Sequence, residues 1–182
     1  MRGYPEAARG LGKLFLAQIL MIVGVLTTPL LVGVILLLVG QVVYLIGLYQ
    51  AKMDDEGYSG AFALRIISLI VSFLGGFWGE SWMGDLFDLI SNILGFVILY
   101  LVCSTTALLV GSLGWNDLAR QGHTVWMINL VCTVISLACN LLMFIPVLNL
   151  LAIPVLLVTS IASLVGGVLF LVFLYRSSKA LA

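Results

Sequence analysis

From Leu11 to Tyr49 the chain is almost continuously apolar, about twice the roughly 20 residues that one membrane span needs. Thr27-Thr28-Pro29 stands near the middle of this run. Proline removes a backbone donor and disfavours helix at the residue before it, so the run divides into spans near 11–28 and 30–49. The polar stretch Gln50 to Gly60 follows, with Lys52, Asp54, Asp55, Glu56 and Gly57. A third apolar run covers 61–78. From 80 to 92 the apolar residues Trp82, Leu86, Leu89 and Ile90 share one helical face, and Asp85, Asp88 and Asn92 share another. That pattern predicts a short amphipathic helix lying in the interface, with Trp78 and Trp82 in an aromatic belt. Further spans are expected near 93–112, 124–144 and 153–175. They are separated by the polar stretch Gly114 to His123 and by an uncharged connector at 145–152. Residues 1–10 read as loose or interfacial.

Charge placement sets the number of crossings. Every Lys and Arg lies in the amino-terminal tail, at or near the two polar stretches, or in the carboxy-terminal tail. The positive-inside rule puts all of these on the cytoplasmic face, which six crossings achieve with both termini inside. Five spans plus an interfacial helix is the alternative, and it would place the amino-terminal Arg/Lys group outside. The expected fold is an all-α, polytopic transmembrane helical bundle forming one integral membrane domain over residues 1–182. A shift of 64 residues lays Leu30–Leu74 over Leu94–Ala138 and superposes the two polar stretches. It pairs Leu37 with Leu101, Gly47 with Gly111, Arg65 with Asn129 and Ser72 with Ser136, as a tandem hairpin repeat would.

Composition sharpens this picture. Hydrophobic residues make up 63% of the 182 and charged residues 9%, against about 25% charged in soluble domains. Lipid is therefore the solvent for most side chains, and a cell membrane is the expected location. Formal net charge is zero, with no clustered basic field for nucleic acid. Cys103, Cys132 and Cys139 all lie inside apolar runs and read as free thiols. The single histidine, His123, sits at a loop–helix junction, and Glu6, Glu56 and Glu80 all lie outside the spans. No spacing suits a metal ligand set, a cofactor or a nucleophile with its base, so neither a cofactor nor enzymatic activity is expected.

The remaining candidates are polar or small residues within spans. Arg65 is the one basic residue at depth, a functional candidate by default or an anchor that snorkels toward Asp54, Asp55 or Glu56. Arg65, Ser68 and Ser72 share a face of the third span; Asn129, Thr133, Ser136 and Asn140 share a face of the fifth. Two such stripes could line a polar path. They could equally be interhelical contacts, each stabilising packing by about 0.6 kcal/mol. Gly33, Gly40 and Gly47 recur every seven residues, and Ala162 with Gly166 and Ser163 with Gly167 form small-xxx-small pairs. These predict close packing within the bundle, in a homo-oligomer or with a membrane protein partner. The Lys52–Gly57 stretch lacks the glycines and the Lys-Ser/Thr ending of a phosphate loop, and reads as a hairpin connection and docking point. Two functions follow. The first is a membrane accessory or scaffold subunit acting through helix packing and cytoplasmic loops. The alternative is a small-solute transporter or channel built on the two polar stripes.

Overall fold

The computed structural model describes residues 4–29, 31–79, 81–142 and 146–182, with the side chains of 140–153 outside that description. Six α-helices cover the described residues: α1 (Pro5–Leu26), α2 (Val32–Asp54), α3 (Gly57–Trp78), α4 (Trp82–Ser112), α5 (Asn116–Leu142) and α6 (Pro146–Leu181). Each contains a stretch long and apolar enough to cross a bilayer.

The amino-terminal residues depart from the expectation of a loose segment. Helix α1 begins at Pro5, a residue whose fixed φ suits a first helical position, and Ala7, Ala8 and Gly10 are buried. Two contacts fasten this end. Tyr4 N donates to the Leu181 carbonyl at 3.2 Å, and Ala7 N donates to Asp54 Oδ2 at 2.8 Å. A first-turn N–H has no partner within its own helix, and Asp54 supplies both an acceptor and a negative charge at the positive end of the helix dipole.

The α1–α2 break falls where Pro29 predicts it. Thr27 Oγ1 donates to the Val23 carbonyl at 2.7 Å and Thr28 Oγ1 to the Gly24 carbonyl at 2.9 Å. The Val23 carbonyl also accepts from Thr27 N at 3.0 Å, while Thr28 Oγ1 gives the Gly24 carbonyl a partner at the helix end, where carbonyls lack intrahelical donors. The heptad glycines of α2 face α1. A Cβ on Gly47 would stand 2.8 Å from the Gly10 carbonyl oxygen, and one on Gly40 would stand 3.3 Å from that of Ala17. Gly33 meets the Thr27–Thr28 backbone. Helix α1 answers with its own heptad of small residues, Gly10, Ala17 and Gly24, all buried. The two series run antiparallel, so a small residue meets a small residue at each level and the backbones approach closely.

Three expected boundaries move. The interfacial helix over 80–92 is not separate: it forms the first turns of α4. No Pro interrupts Trp82–Ser112, and Ser81 Oγ caps the start by accepting from Gly84 N at 3.3 Å. At 1.5 Å per residue α4 is about 46 Å long, which exceeds the ~30 Å hydrocarbon core. The polar stretch at 50–60 shrinks to Asp55 and Glu56 between helices, and Asp55 Oδ1 accepts from Gly57 N at 2.7 Å. At the other end α6 runs past Tyr175 to Leu181, with Ser177 and Leu181 buried.

The helices close into a ring in chain order, α1 to α6 and back to α1, with an added contact between α4 and α6. Burial follows an internal repeat around it. Gly40, Tyr44, Gly47 and Leu48 of α2 are buried, as are Val102, Thr106, Leu109 and Val110 of α4, and Gly166, Phe170, Phe173 and Leu174 of α6. The offset is 62 positions from α2 to α4 and 64 from α4 to α6. Tyr58, Ala61 and Ser68 of α3 match Gly122, Val125 and Cys132 of α5, again at 64. A single 64-residue shift therefore misplaces α2 against α4 by two residues, because the α2–α3 connection is the shorter. The Tyr4–Leu181 contact joins α6 to α1 where the other repeats have a turn.

The core gathers at the end of the ring that holds the termini. Leu11, Leu14, Leu48, Tyr58, Ala61, Val110, Val125, Phe173 and Leu174 are essentially inaccessible there, and the buried hydroxyls of Tyr58 and Thr106 hydrogen-bond at 2.8 Å. At the opposite end Leu26, Leu31, Phe77 and Trp82 are each at least 74% exposed. Apolar side chains presented outward in this way suit lipid rather than water.

Candidate functional site

On α3 the helical period brings Arg65, Ser68 and Ser72 onto the face that also carries buried Tyr58 and Ala61. Arg65 does not pair with the acids of the α2–α3 turn. Its Nη2 donates to Gln41 Oε1, and its guanidinium lies over the Tyr44 ring at 4.7 Å from the centroid. Gln41 is roughly 20 Å along α2 from the Asp54 end, and Arg65 roughly 12 Å along α3 from Gly57. The side chain thus reaches away from the turn rather than snorkelling toward it. Asp54 is engaged with Ala7 and Asp55 with Gly57. Arg65 Nε is buried without a hydrogen-bond partner. Among the described residues the ion pair present is Arg9–Glu6, at the exposed start of α1.

The stripe on α5 divides. Asn129 Nδ2 donates to the carbonyl of Val125 at 2.8 Å, in its own helix. It packs on Gly166, where a Cβ would come 3.1 Å from that nitrogen. Thr133 and Ser136 line a cavity of about 180 Å³ with Asn92, Cys132, Leu137 and Ser163. Asn140 lies outside the described side chains. Of the expected packing face on α6, Gly166 is buried against α5 and Ala162 is half-buried.

Helices α3 and α5 do not touch: α4 stands between them in the ring. Two adjacent α4 residues reach both sides. The Ser91 hydroxyl meets that of Ser72 on α3 at 3.2 Å, while Asn92 lines the α5–α6 cavity. Consecutive residues on a helix diverge by about 100°, so a Ser-Asn pair can serve two neighbours. The polar residues thus form a band, from Ser72 through Ser91 and Asn92 to Ser136 and Ser163. Sequence reasoning missed Ser91 altogether, placed Asn92 on an interfacial helix, and took Ser163 as a packing residue. The available signal was a Ser-Asn step inside an apolar run.

The chemistry of the cavity is neutral. Its amide and hydroxyls both donate and accept, the Cys132 thiol is a weak donor, and among the described residues no charged side chain lines it. Asp88 lies one turn from Asn92, toward the start of α4, and is exposed. A larger depression of about 340 Å³, bordered by Pro5, Ala8, Arg9, Ser178 and Ala182, is an open groove between the chain ends. Among the described residues no three His, Cys, Asp or Glu side chains converge as a metal site would require. His123 packs edge-on against Trp126 at 5.0 Å. Cys103, Cys132 and Cys139 are free and buried.

No protein family model, curated protein or solved structure matches this chain.

Proposed function

We propose that this multi-pass membrane protein is a transporter for a small, uncharged polar solute, with both termini on the cytoplasmic side of a cell membrane. The observation that carries the reading is the cavity between α4, α5 and α6, lined by Asn92, Thr133, Ser136 and Ser163. A polar solute leaving water must replace its lost hydrogen bonds, and neutral amide and hydroxyl groups do this without the desolvation cost of a charge. About 180 Å³ falls below the roughly 300–1,000 Å³ of pockets for drug-sized ligands, which suits a small metabolite.

The accessory-subunit reading drew on the glycine face of α2 and on the acidic turn. Both are engaged within the chain: Gly33, Gly40 and Gly47 by α1, Asp54 and Asp55 by backbone amides. Less of either remains to hold a partner.

Native mass spectrometry from mild detergent tests the proposal. A small adduct of constant mass on the wild type, absent from Ser136→Leu and from Asn92→Leu at unchanged thermal stability, is the expected result. A constant protein partner with no small adduct would return the accessory reading.

A further inference from the structure

A second site follows from Arg65, on a different pair of helices from the cavity. A guanidinium inside a bilayer is costly and normally faces a counter-charge. Here its compensation is wholly neutral: the Gln41 amide oxygen on Nη2 and the π face of Tyr44, itself buried. The Nε–H points into protein with no acceptor. Of the acids that could have neutralised it, Asp54 and Asp55 accept from backbone amides nearer the turn, and Glu56 is exposed at the turn and forms no ion pair with Arg65. Arg65 is half-buried on the face of α3 that carries buried Tyr58, Ala61 and Ser68. Among the described residues the guanidinium therefore has no acidic partner, and its Nε is buried and unpaired beside the Gln41 contact, so a ligand reaches this edge by displacing Gln41.

We propose that Arg65 is the anion-binding centre of this bundle and takes the carboxylate of a small monocarboxylate. Two oxygens in a plane match the guanidinium fork, one on Nε and one on a terminal nitrogen. Gln41 Oε1 stands where a ligand oxygen goes, as an uncharged placeholder that a carboxylate displaces. Ser68, one turn along α3, supplies a hydroxyl on the same face. A single positive charge matches a monoanion, whereas a phosphate monoester at neutral pH carries about −1.5 to −2 and would leave charge unmet in a low-dielectric site. The carboxylate has two sources, a soluble acid or a fatty acid from the bilayer.

The test uses the full chain in phosphatidylcholine nanodiscs and follows thermal unfolding against ligand concentration. The probes are acetate, benzoate and palmitate, with benzamide as the uncharged control and inorganic phosphate as the competing anion. The wild type is expected to show a saturable rise in Tm with a carboxylate and none with benzamide. Arg65→Gln should weaken that binding by about tenfold or more, the scale of one lost charge-assisted pair, and Arg65→Lys, which keeps the charge without the fork, should fall between. A response to acetate or benzoate assigns a soluble source; a response to palmitate alone assigns a lipid one. Should Arg65→Gln fail to fold, Gln41→Leu removes the competing amide and is expected to tighten binding. No saturable carboxylate response in the wild type overturns the proposal. So does an undiminished response in Arg65→Gln, phosphate binding as strong as carboxylate, or a Gln41→Leu variant that binds no tighter. Because the α4–α6 cavity shares none of these residues, either site can fail its test without affecting the other.

Discussion

Gly10 and Gly12 lie two residues apart on α1 and should respond oppositely to the same methyl group. A Cβ on Gly10 would stand 2.5 Å from the Gly47 carbonyl oxygen and 2.7 Å from Ala51 N, both backbone atoms of α2. A Cβ on Gly12 meets nothing within 4 Å. Replacing a mid-helix glycine by alanine gains roughly 0.5–1 kcal/mol through lower backbone entropy. Gly12→Ala should gain about that much. Gly10→Ala carries the same gain but must push two backbones apart, and overpacking a close contact costs typically 1–3 kcal/mol. The net for Gly10→Ala lies between about neutral and a loss of about 2.5 kcal/mol, and the gap between the two variants is the overpacking cost alone. Reversible unfolding in mixed micelles, titrated with a denaturing detergent, measures both on one scale. Equal stabilisation by the two substitutions would refute the heptad packing of α1 on α2.

Three further outcomes follow from other contacts. Asp54→Ala removes the acceptor for Ala7 N and the charge at the start of α1, and should cost about 0.5–2 kcal/mol, the range of a lost helix cap; hydrogen exchange should speed up in the first turn of α1 and not in α5. Ser72→Ala should change stability by no more than about 0.6 kcal/mol, since its bond to Ser91 is exposed and such contacts average that value. Gly76→Ala, with open space around its Cβ position, should be neutral or stabilising by up to about 1 kcal/mol in the same titration.

Much of the architecture was legible in the sequence because hydrocarbon imposes few choices. A run of twenty apolar residues has to be a helix with its own hydrogen bonds closed, and Pro29 marks a break that the next helix cannot erase. What stayed hidden depended on pairing across the ring. The heptad Gly33, Gly40, Gly47 announces a close approach, but not that Gly10, Ala17 and Gly24 are its partner. The first turns of α4 have an amphipathic pattern that an interfacial helix shares, and only the absence of a breaker between Trp82 and Gly95 argues for continuity. Arg65 looked able to reach the acidic turn by side-chain length alone. Instead its guanidinium is held on Gln41 and the Tyr44 ring, away from that turn. Helical spacing groups the polar residues of α3 and of α5 onto faces, yet no periodicity says which helix lies between the two, and here it is α4.

Position along the bundle axis gives the polar groups an order. Asn92, Thr133 and Ser136 lie roughly 25–30 Å along their helices from the α4–α5 turn, and Arg65 roughly 12 Å from the α2–α3 turn at the same end. Between these levels and that end stands the close-packed core around Tyr58 and Thr106. If the chain transports as proposed, that core must loosen for a crossing, and the Tyr58–Thr106 bond would oppose the opening step. Tyr58→Phe leaves the Thr106 hydroxyl without its partner and should cost about 1–3 kcal/mol of stability, while Thr106→Val in the same background should recover part of the loss. If the bond acts on the opening step as well, Tyr58→Phe should raise the rate of solute exchange in vesicles even as it lowers stability. A purely structural bond predicts that both fall together. Exchange that slows in proportion to the loss of folded protein would remove the core around Tyr58 from any account of transport.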